Sequence, residues 1–251
     1  MNEILFAIGA GAETIGVCAP ANYPKEAASL PVVASYSGVD AEGIIARGAA
    51  ACFTIEGMQG EPQLEALKRA PIPVYSYRID TLAELYECIS DVGLKTGHAK
   101  QARELAASMM SRITACSTPR GNLLPQAVVI VNIEPLVVAG PASFLSDLLR
   151  AAGFRAAFTA HSEAYPAVSL ETLAALKPDY LIFPSGDISS GEAQRLVNRL
   201  NRMVDKPCLP IEIPADLLVR PGPRTADAVE ALSRARDEKQ LDTKAHRAQK
   251  R

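Results

Sequence analysis

Glu42 and Glu171 stand at the same place in two similar stretches of the chain, each two residues after a helix-starting residue, Asp40 and Ser169. A carboxylate there has two uses. It can make a charge-assisted contact with a guanidinium on another molecule, which fixes orientation. It can also serve its own helix, whose macrodipole stabilises a first-turn acid by roughly 0.3–1 kcal/mol. Tyr36, followed by Ser37 and Gly38, and Tyr165, followed by Pro166, precede the same two helices. A tyrosine offers a flat apolar face and a hydroxyl, which suits a large ring with polar edges. Closing a core from a loop is its other use. Arg220 lies just before Pro221-Gly222-Pro223. A guanidinium on so rigid a turn can bind a carboxylate, phosphate or amide edge, or it can cap a helix end and satisfy loop carbonyls.

The elements that position these groups form an internal repeat. Each copy reads as a loop tyrosine, an N-cap, an early glutamate, a short helix and a buried strand. The first runs from Tyr36 to Phe53 and the second from Tyr165 to Ile182. Two copies of an αβ unit predict two lobes with a cleft that both tyrosines face. In the first lobe the pattern predicts helix 2–9, strand 14–18, a helix from Asp40, strand 50–55, helix 61–70 and strand 72–77. In the second it predicts strand 127–133, helix 143–152, strand 155–159, helix 170–176, strand 179–184, helix 190–203, strand 208–213 and a final helix from about Arg224. Strands alternating with helices predict an α/β fold with mainly parallel sheets. Between the lobes, Leu82, Leu85, Tyr86, Ile89 and Val92 recur at helical steps, and the pattern resumes from Ala102 to Ile113. One long helix over 81–116 is expected to join lobe 1–80 to lobe 117–236, with residues 237–251 a disordered tail of mostly polar residues.

Composition narrows the function. The chain has 251 residues, 48% hydrophobic and 22% charged, with a formal charge of -2. That balance gives no field to attract nucleic acid, and no apolar run approaches the roughly 20 residues a membrane span needs. The five cysteines are scattered, without metal-ligand spacing or a disulfide framework. His98, His161 and His246 lie far apart, so no metal site is expected. Gly9-Ala10-Gly11 follows a helix rather than opening one, which is wrong for a phosphate-binding loop. No nucleophile motif appears, and no catalytic residue or cofactor is expected.

The second lobe's first helix follows a strong strand, Ala127 to Ile133, whereas nothing precedes the matching helix at Glu3-Ile4-Leu5-Phe6. The comparison predicts that a strand, and any leader, is missing upstream.

With the elements placed, the sequence resembles the periplasmic solute-binding proteins that feed cobalamin, haem and iron-siderophores to ABC importers, the cobalamin-binding branch most of all. The resemblance rests on Glu3 to Gly11, Gly16-Val17, Asn22-Tyr23-Pro24, Pro141-Ala142-Ser143-Phe144-Leu145, Ala152-Gly153, the block from Tyr165 to Ile182, and Arg220 to Arg224. It implies two αβ lobes joined by one long helix, with a large chelate held between them. It also implies that Tyr36, Ser37, Gly38, Tyr165, Pro166 and Arg220 touch the ligand. By the same resemblance, Glu42 and Glu171 dock into arginine pockets of a membrane permease, and the protein is a monomer working outside the cytoplasmic membrane. The first repeat departs from the family's Leu-Lys-Pro-Asp turn, reading Arg47-Gly48-Ala49-Ala50. The chain also has no tryptophan, so its pocket is less aromatic than is usual in the family. Two other readings stay open: a cytosolic two-lobed enzyme acting on a tetrapyrrole or metal chelate, and a truncated, non-functional binding protein.

Overall fold

Met1–Ile79 together with Ala83–Ser108 make one unit of the chain, and Asp80–Leu82 together with Met109–Arg251 make the other. The computed structural model describes residues 1–35, 38–56, 65–67, 69–116, 124–159 and 163–249. Tyr36, Ser37, His161 and much of the expected helix 61–70 lie outside the described residues.

In unit 1, helix α1 (Asn2–Ala7) buries Ile4, and two short strands follow, β1 (Val17–Cys18) and β2 (Val32–Ser35). They pair in parallel, and β2 then turns back antiparallel onto β3 (Gly38–Val39). Helix α2 (Ala41–Ala46) leads to β4 (Cys52–Ile55), which pairs in parallel with β5 (Val74–Tyr77). The described strands thus form two separate sheets, β1-β2-β3 and β4-β5. Ile44 of α2 sits in one apolar cluster with Leu67, Ile72, Val33 and Val74, so both sheets contribute to a shared core.

The expected single strut is two helices, α3 (Leu82–Lys95) and α4 (Ala99–Cys116). Gly97 adopts φ 77°, a left-handed conformation that other residues take only at a cost. The His98 amide returns to the Gly93 carbonyl (2.7 Å) and the Gly97 amide to that of Leu94 (3.4 Å), the paired closure of a glycine C-cap. After the turn the chains approach closely, because a Cβ on Gly93 would collide with that of Ala102. The apolar stripe resumes beyond the break, with Ala102 and Met109 buried, which is why periodicity alone runs through it. The unit boundary falls inside α4, between Ser108 and Met109, rather than at the ends of a separate connecting helix.

Unit 2 is built on one five-stranded sheet. Its strands are β6 (Gln126–Asn132), β7 (Val137–Val138), β8 (Arg155–Ala156), β9 (Tyr180–Ser185) and β10 (Leu209–Pro214). They run in the order β10-β9-β6-β7, with β8 also on β6, and all pairings are parallel except β6 with β7. Ala127 through Ile130 and Tyr180 through Pro184 are buried, the continuous apolar run of strands covered on both faces. On one face Val128, Ile130, Leu181 and Phe183 pack with Leu173 of α6 (Leu170–Ala175) and with Leu196, Val197 and Leu200 of α7 (Ser190–Asn201). Strand alternation turns Val129 and Ile182, equally buried, to the opposite side. Helices α5 (Phe144–Ala151), α8 (Ala215–Leu218) and α9 (Thr225–Gln249) complete the unit.

The expected disordered tail is instead the continuation of α9, which stays helical to Gln249. Its Ala, Arg, Glu, Lys and Gln are strong helix formers, so low hydrophobicity did not interrupt it. Arg236, fully buried, fastens that helix by donating to the carbonyls of Ala152 (2.5 Å) and Cys116 (3.5 Å).

Candidate functional site

Glu42 and Glu171 are both exposed, each in the first turn of a short capped helix. The Asp40 carboxylate accepts from the Gly43 amide at 2.9 Å, and the Ser169 hydroxyl accepts from the Thr172 amide at 3.1 Å. Each cap thereby satisfies one of the donors a helix start leaves open. The two ends are not chemically equal. Glu42 shares its turn with a second carboxylate, Asp40, and with Arg47, which donates to the Gly43 carbonyl at 2.8 Å. As the residues stand, a Cβ at position 43 would meet the Asp40 carboxylate, which would have to swing aside to admit it. Hydrogen bonds from its own amide and from the Ser169 hydroxyl hold the Glu171 carboxyl below the ordinary glutamate range, with Arg199 adding to the shift. Beside Glu171 opens a groove of about 300 Å³, lined among others by Leu136, Leu170, Leu196, Glu134 and Arg199.

Tyr165 is half-exposed, with 50% of its surface open. Burial of the remainder, then the Asp80 carboxylate, raise its hydroxyl pKa, so at neutral pH the phenol is a donor. Its loop is anchored to the rest of unit 2 by backbone bonds. The Val138 amide donates to the Pro166 carbonyl (3.1 Å), the Gly140 amide to that of Ala164 (2.8 Å), and the Val168 amide to that of Leu136 (2.8 Å). Pro166 is buried, and the space where a Cβ on Gly140 would sit is already taken by Glu163 and the Pro166 ring. Pro166 therefore positions the loop, and Tyr165, not Pro166, is the surface it offers. The Gly140 carbonyl in turn accepts from the hydroxyls of Ser143 (2.6 Å) and Ser146 (2.8 Å), both buried. This latch could be suspected from Gly140-Pro141-Ala142-Ser143, but its second half arrives from residues 163–168.

Arg220 forms an ion pair with Asp216, one helical turn earlier, at 2.6 Å. Its guanidinium is thus engaged within unit 2 by a carboxylate. The i, i+4 spacing of Asp216 and Arg220 was the signal for it. Gly38, in unit 1, lies in β3 opposite Ser35, with open space where a side chain would be. Among the described residues no three His, Cys, Asp or Glu side chains cluster to hold a metal ion. His98 is used locally, its Nδ1 2.7 Å from the Thr96 carbonyl.

Residues 2–200 match the family model described as periplasmic binding protein. A vitamin B12-binding protein of Vibrio parahaemolyticus is 24% identical over 230 residues, covering 90% of this chain and 82% of that protein. A possible iron-binding periplasmic solute-binding protein of Staphylococcus epidermidis superposes with a TM-score of 0.81 at 22% identity, over 93% of this chain and 94% of the other. A periplasmic haem-binding protein of Vibrio cholerae gives 0.80 at 18% identity, over 92% and 93%. The two solved structures establish the fold, a mixed α/β chain with mainly parallel sheets. With its matched segment spanning most of its length, the chain belongs to the periplasmic binding protein family.

Proposed function

We propose that this chain is the solute-binding component of an ABC importer, working outside the cytoplasmic membrane on a large metal chelate. The ligand class is a corrinoid such as cobalamin, haem, or an iron-siderophore. The observation that carries this reading is the family match over residues 2–200, together with a relative named for vitamin B12 that aligns over 90% of the chain. Capture and release make and break no covalent bond, so the reading is non-enzymatic.

Tyr165 supports it from unit 2, as a half-exposed ring with a protonated hydroxyl on an anchored loop. Such a group stacks on a macrocycle and donates to its polar rim. In unit 1 the corresponding contacts are assigned to Tyr36, Ser37 and Gly38. Arg220 contributes as a charge shared with Asp216. Delivery runs through Glu42 and Glu171, two exposed acids at equivalent helix starts. Their partners are arginines on the permease, where carboxylate–guanidinium pairs fix orientation and speed encounter. The binding protein acts as a monomer, and nucleic acid has no part in its work.

Isothermal calorimetry against cobalamin, cobinamide, haem and a panel of ferric siderophores tests the reading. Saturable heat with one class at a single site is the expected result. An absence of binding to all three classes, by protein shown to be folded, rejects it.

A further inference from the structure

Gly140, Ser143, Ser146 and Asp147, at the start of α5, hold two separate stretches of unit 2. The Gly140 amide donates to the Ala164 carbonyl (2.8 Å), and the buried hydroxyls of Ser143 and Ser146 donate to the Gly140 carbonyl (2.6 and 2.8 Å). Those bonds fix the loop that carries Tyr165. The next residue, Asp147, accepts from the Leu82 amide at 2.8 Å, across 65 positions of sequence. Arg150 donates to the second oxygen of the same carboxylate at 3.0 Å. Leu82 opens α3, so Asp147 satisfies one of the donors that a helix start leaves over. A charged acceptor makes that bond roughly twice as strong as a neutral one. Residues 80–82 and the Tyr165 loop are thus pinned to one turn of α5, all within unit 2.

Pinning both stretches sets two groups of opposite use near each other. Asp80 is half-buried and Tyr165 is half-exposed. Burial first, and then the Asp80 charge, hold the proton on the Tyr165 phenol. Another tyrosine–aspartate pair in the chain shows the contrast. Asp91 takes the Tyr77 hydroxyl directly, at 2.7 Å, whereas Asp80 acts on Tyr165 through its charge and not through a hydrogen bond. The Tyr165 hydroxyl therefore keeps its hydrogen for an incoming acceptor, with a carboxylate close at hand to receive a donor. Asp80 has contacts of its own within the protein. A carboxylate offers about four acceptor positions, so those contacts do not exhaust it.

We infer that Asp80 is a specificity-determining residue of the ligand site, forming with Tyr165 a donor–acceptor corner that takes a primary amide on the rim of the chelate. The inference rests on the reading that Tyr165 touches the ligand. The oxygen of such an amide accepts from the phenol, and its NH2 group donates to the carboxylate, so one ligand group satisfies both. A ligand carboxylate accepts from Tyr165 equally well, but it has no hydrogen for Asp80 and sets two like charges together. The corner thereby favours a chelate edged with amides, as corrinoids are, over one edged with carboxylates, as haem is. Asp147 is a positioning residue, acting through the segment it pins.

Two corrins that share a ring and differ at the rim test this: cobinamide, which carries amides, and cobyrinic acid, which carries carboxylates. Each is titrated calorimetrically into the full chain. Cobinamide is expected to bind more tightly by about tenfold or better. Asp80→Asn keeps the shape and an acceptor while removing the charge, and should narrow that ratio severalfold. Asp147→Ala should narrow it too, whereas Asp147→Asn, which still offers Leu82 an acceptor, should not. A purely structural role for Asp147 would weaken both ligands alike and leave the ratio as it was, which would remove that residue from the account. Equal affinity of the wild type for the two corrins, or an unchanged ratio in folded D80N protein, overturns the proposal. So does binding of haem or a ferric siderophore with no binding of either corrin, a result that leaves the solute-binding reading in place. Failure of all these probes removes that reading, and this inference with it.

Discussion

The carbonyl oxygen of Glu163 occupies the space that a Cβ on Gly140 would need. The contact joins the start of α5 to the loop that presents Tyr165, and it is reinforced by the bond from the Gly140 amide to the Ala164 carbonyl. Gly140→Ala must therefore push the loop outward or strain the backbone. The expected cost is about 1–3 kcal/mol of stability, the usual scale for overpacking a filled site, read from urea unfolding. Ligand affinity should fall with it, because the Tyr165 ring moves with its loop. An unchanged denaturation midpoint would mean that the loop yields freely.

Gly97→Ala addresses the break between α3 and α4. An L side chain at φ 77° costs roughly 1–2 kcal/mol, and the two backbone bonds that close the α3 end hold the residue there. A loss of about that size is expected in chemical denaturation. Were the segment able to run on as one helix, alanine would stabilise it instead, so the sign of the change decides between the two.

Much of this architecture can be read from residues alone, where burial writes a pattern. The unbroken run Ala127-Val128-Val129-Ile130 announces β6, because a strand covered on both faces has no polar alternation. Leu85, Ile89 and Val92 announce α3 in the same way. β2 escapes such reading, since none of Val32 to Ser35 is buried and it carries no alternation. The broken strut escaped because the apolar stripe has the same period on both sides of Thr96-Gly97-His98. At the candidate site, the exposed acids follow from their caps, Asp40 and Ser169. The role of Pro166 does not, because it depends on Gly140, which is distant in sequence and brought close by the pairing of residues 164–168 with β7 and its flanks.

The surroundings of Glu171 give a pH prediction. The Glu171 carboxylate is favoured by its own amide and by the Ser169 hydroxyl, which lowers its pKa. A depressed folded-state pKa means that this stabilisation is complete above the unfolded value. It is lost as pH falls through the lower, folded one. Glu171 should therefore remain ionised in mildly acidic solution where an ordinary glutamate begins to protonate. Carbon-detected NMR titration of its carboxyl is expected to give a midpoint below that of an ordinary glutamate. Ser169→Ala should raise that midpoint and, by removing the N-cap, cost about 1 kcal/mol of stability. A midpoint unmoved by S169A would remove the hydroxyl from the account.

Asp216 and Arg220 pose the last question, because an arginine already holding one carboxylate must trade it to hold another. The pair is 2.6 Å long, with the two side chains 40% and 30% exposed. Solvent screening on that scale limits such a pair to about 0–1 kcal/mol of stability, so Asp216→Ala should leave the unfolding midpoint nearly unchanged. Its effect on binding depends on what the ligand presents. Removing Asp216 takes one acceptor from the guanidinium and strengthens its attraction for an incoming anion. A chelate with free carboxylates, such as haem, should then bind several-fold more tightly, about 1 kcal/mol. A corrinoid whose rim is built of neutral amides should bind little differently, because a neutral acceptor gains less from the uncovered charge. Calorimetry of D216A protein with both ligands separates the cases. Tighter binding of haem alone would place Arg220 in contact with its carboxylates. Equal affinity of wild type and variant for both ligands would leave Arg220 with the structural role of pinning the turn before α9.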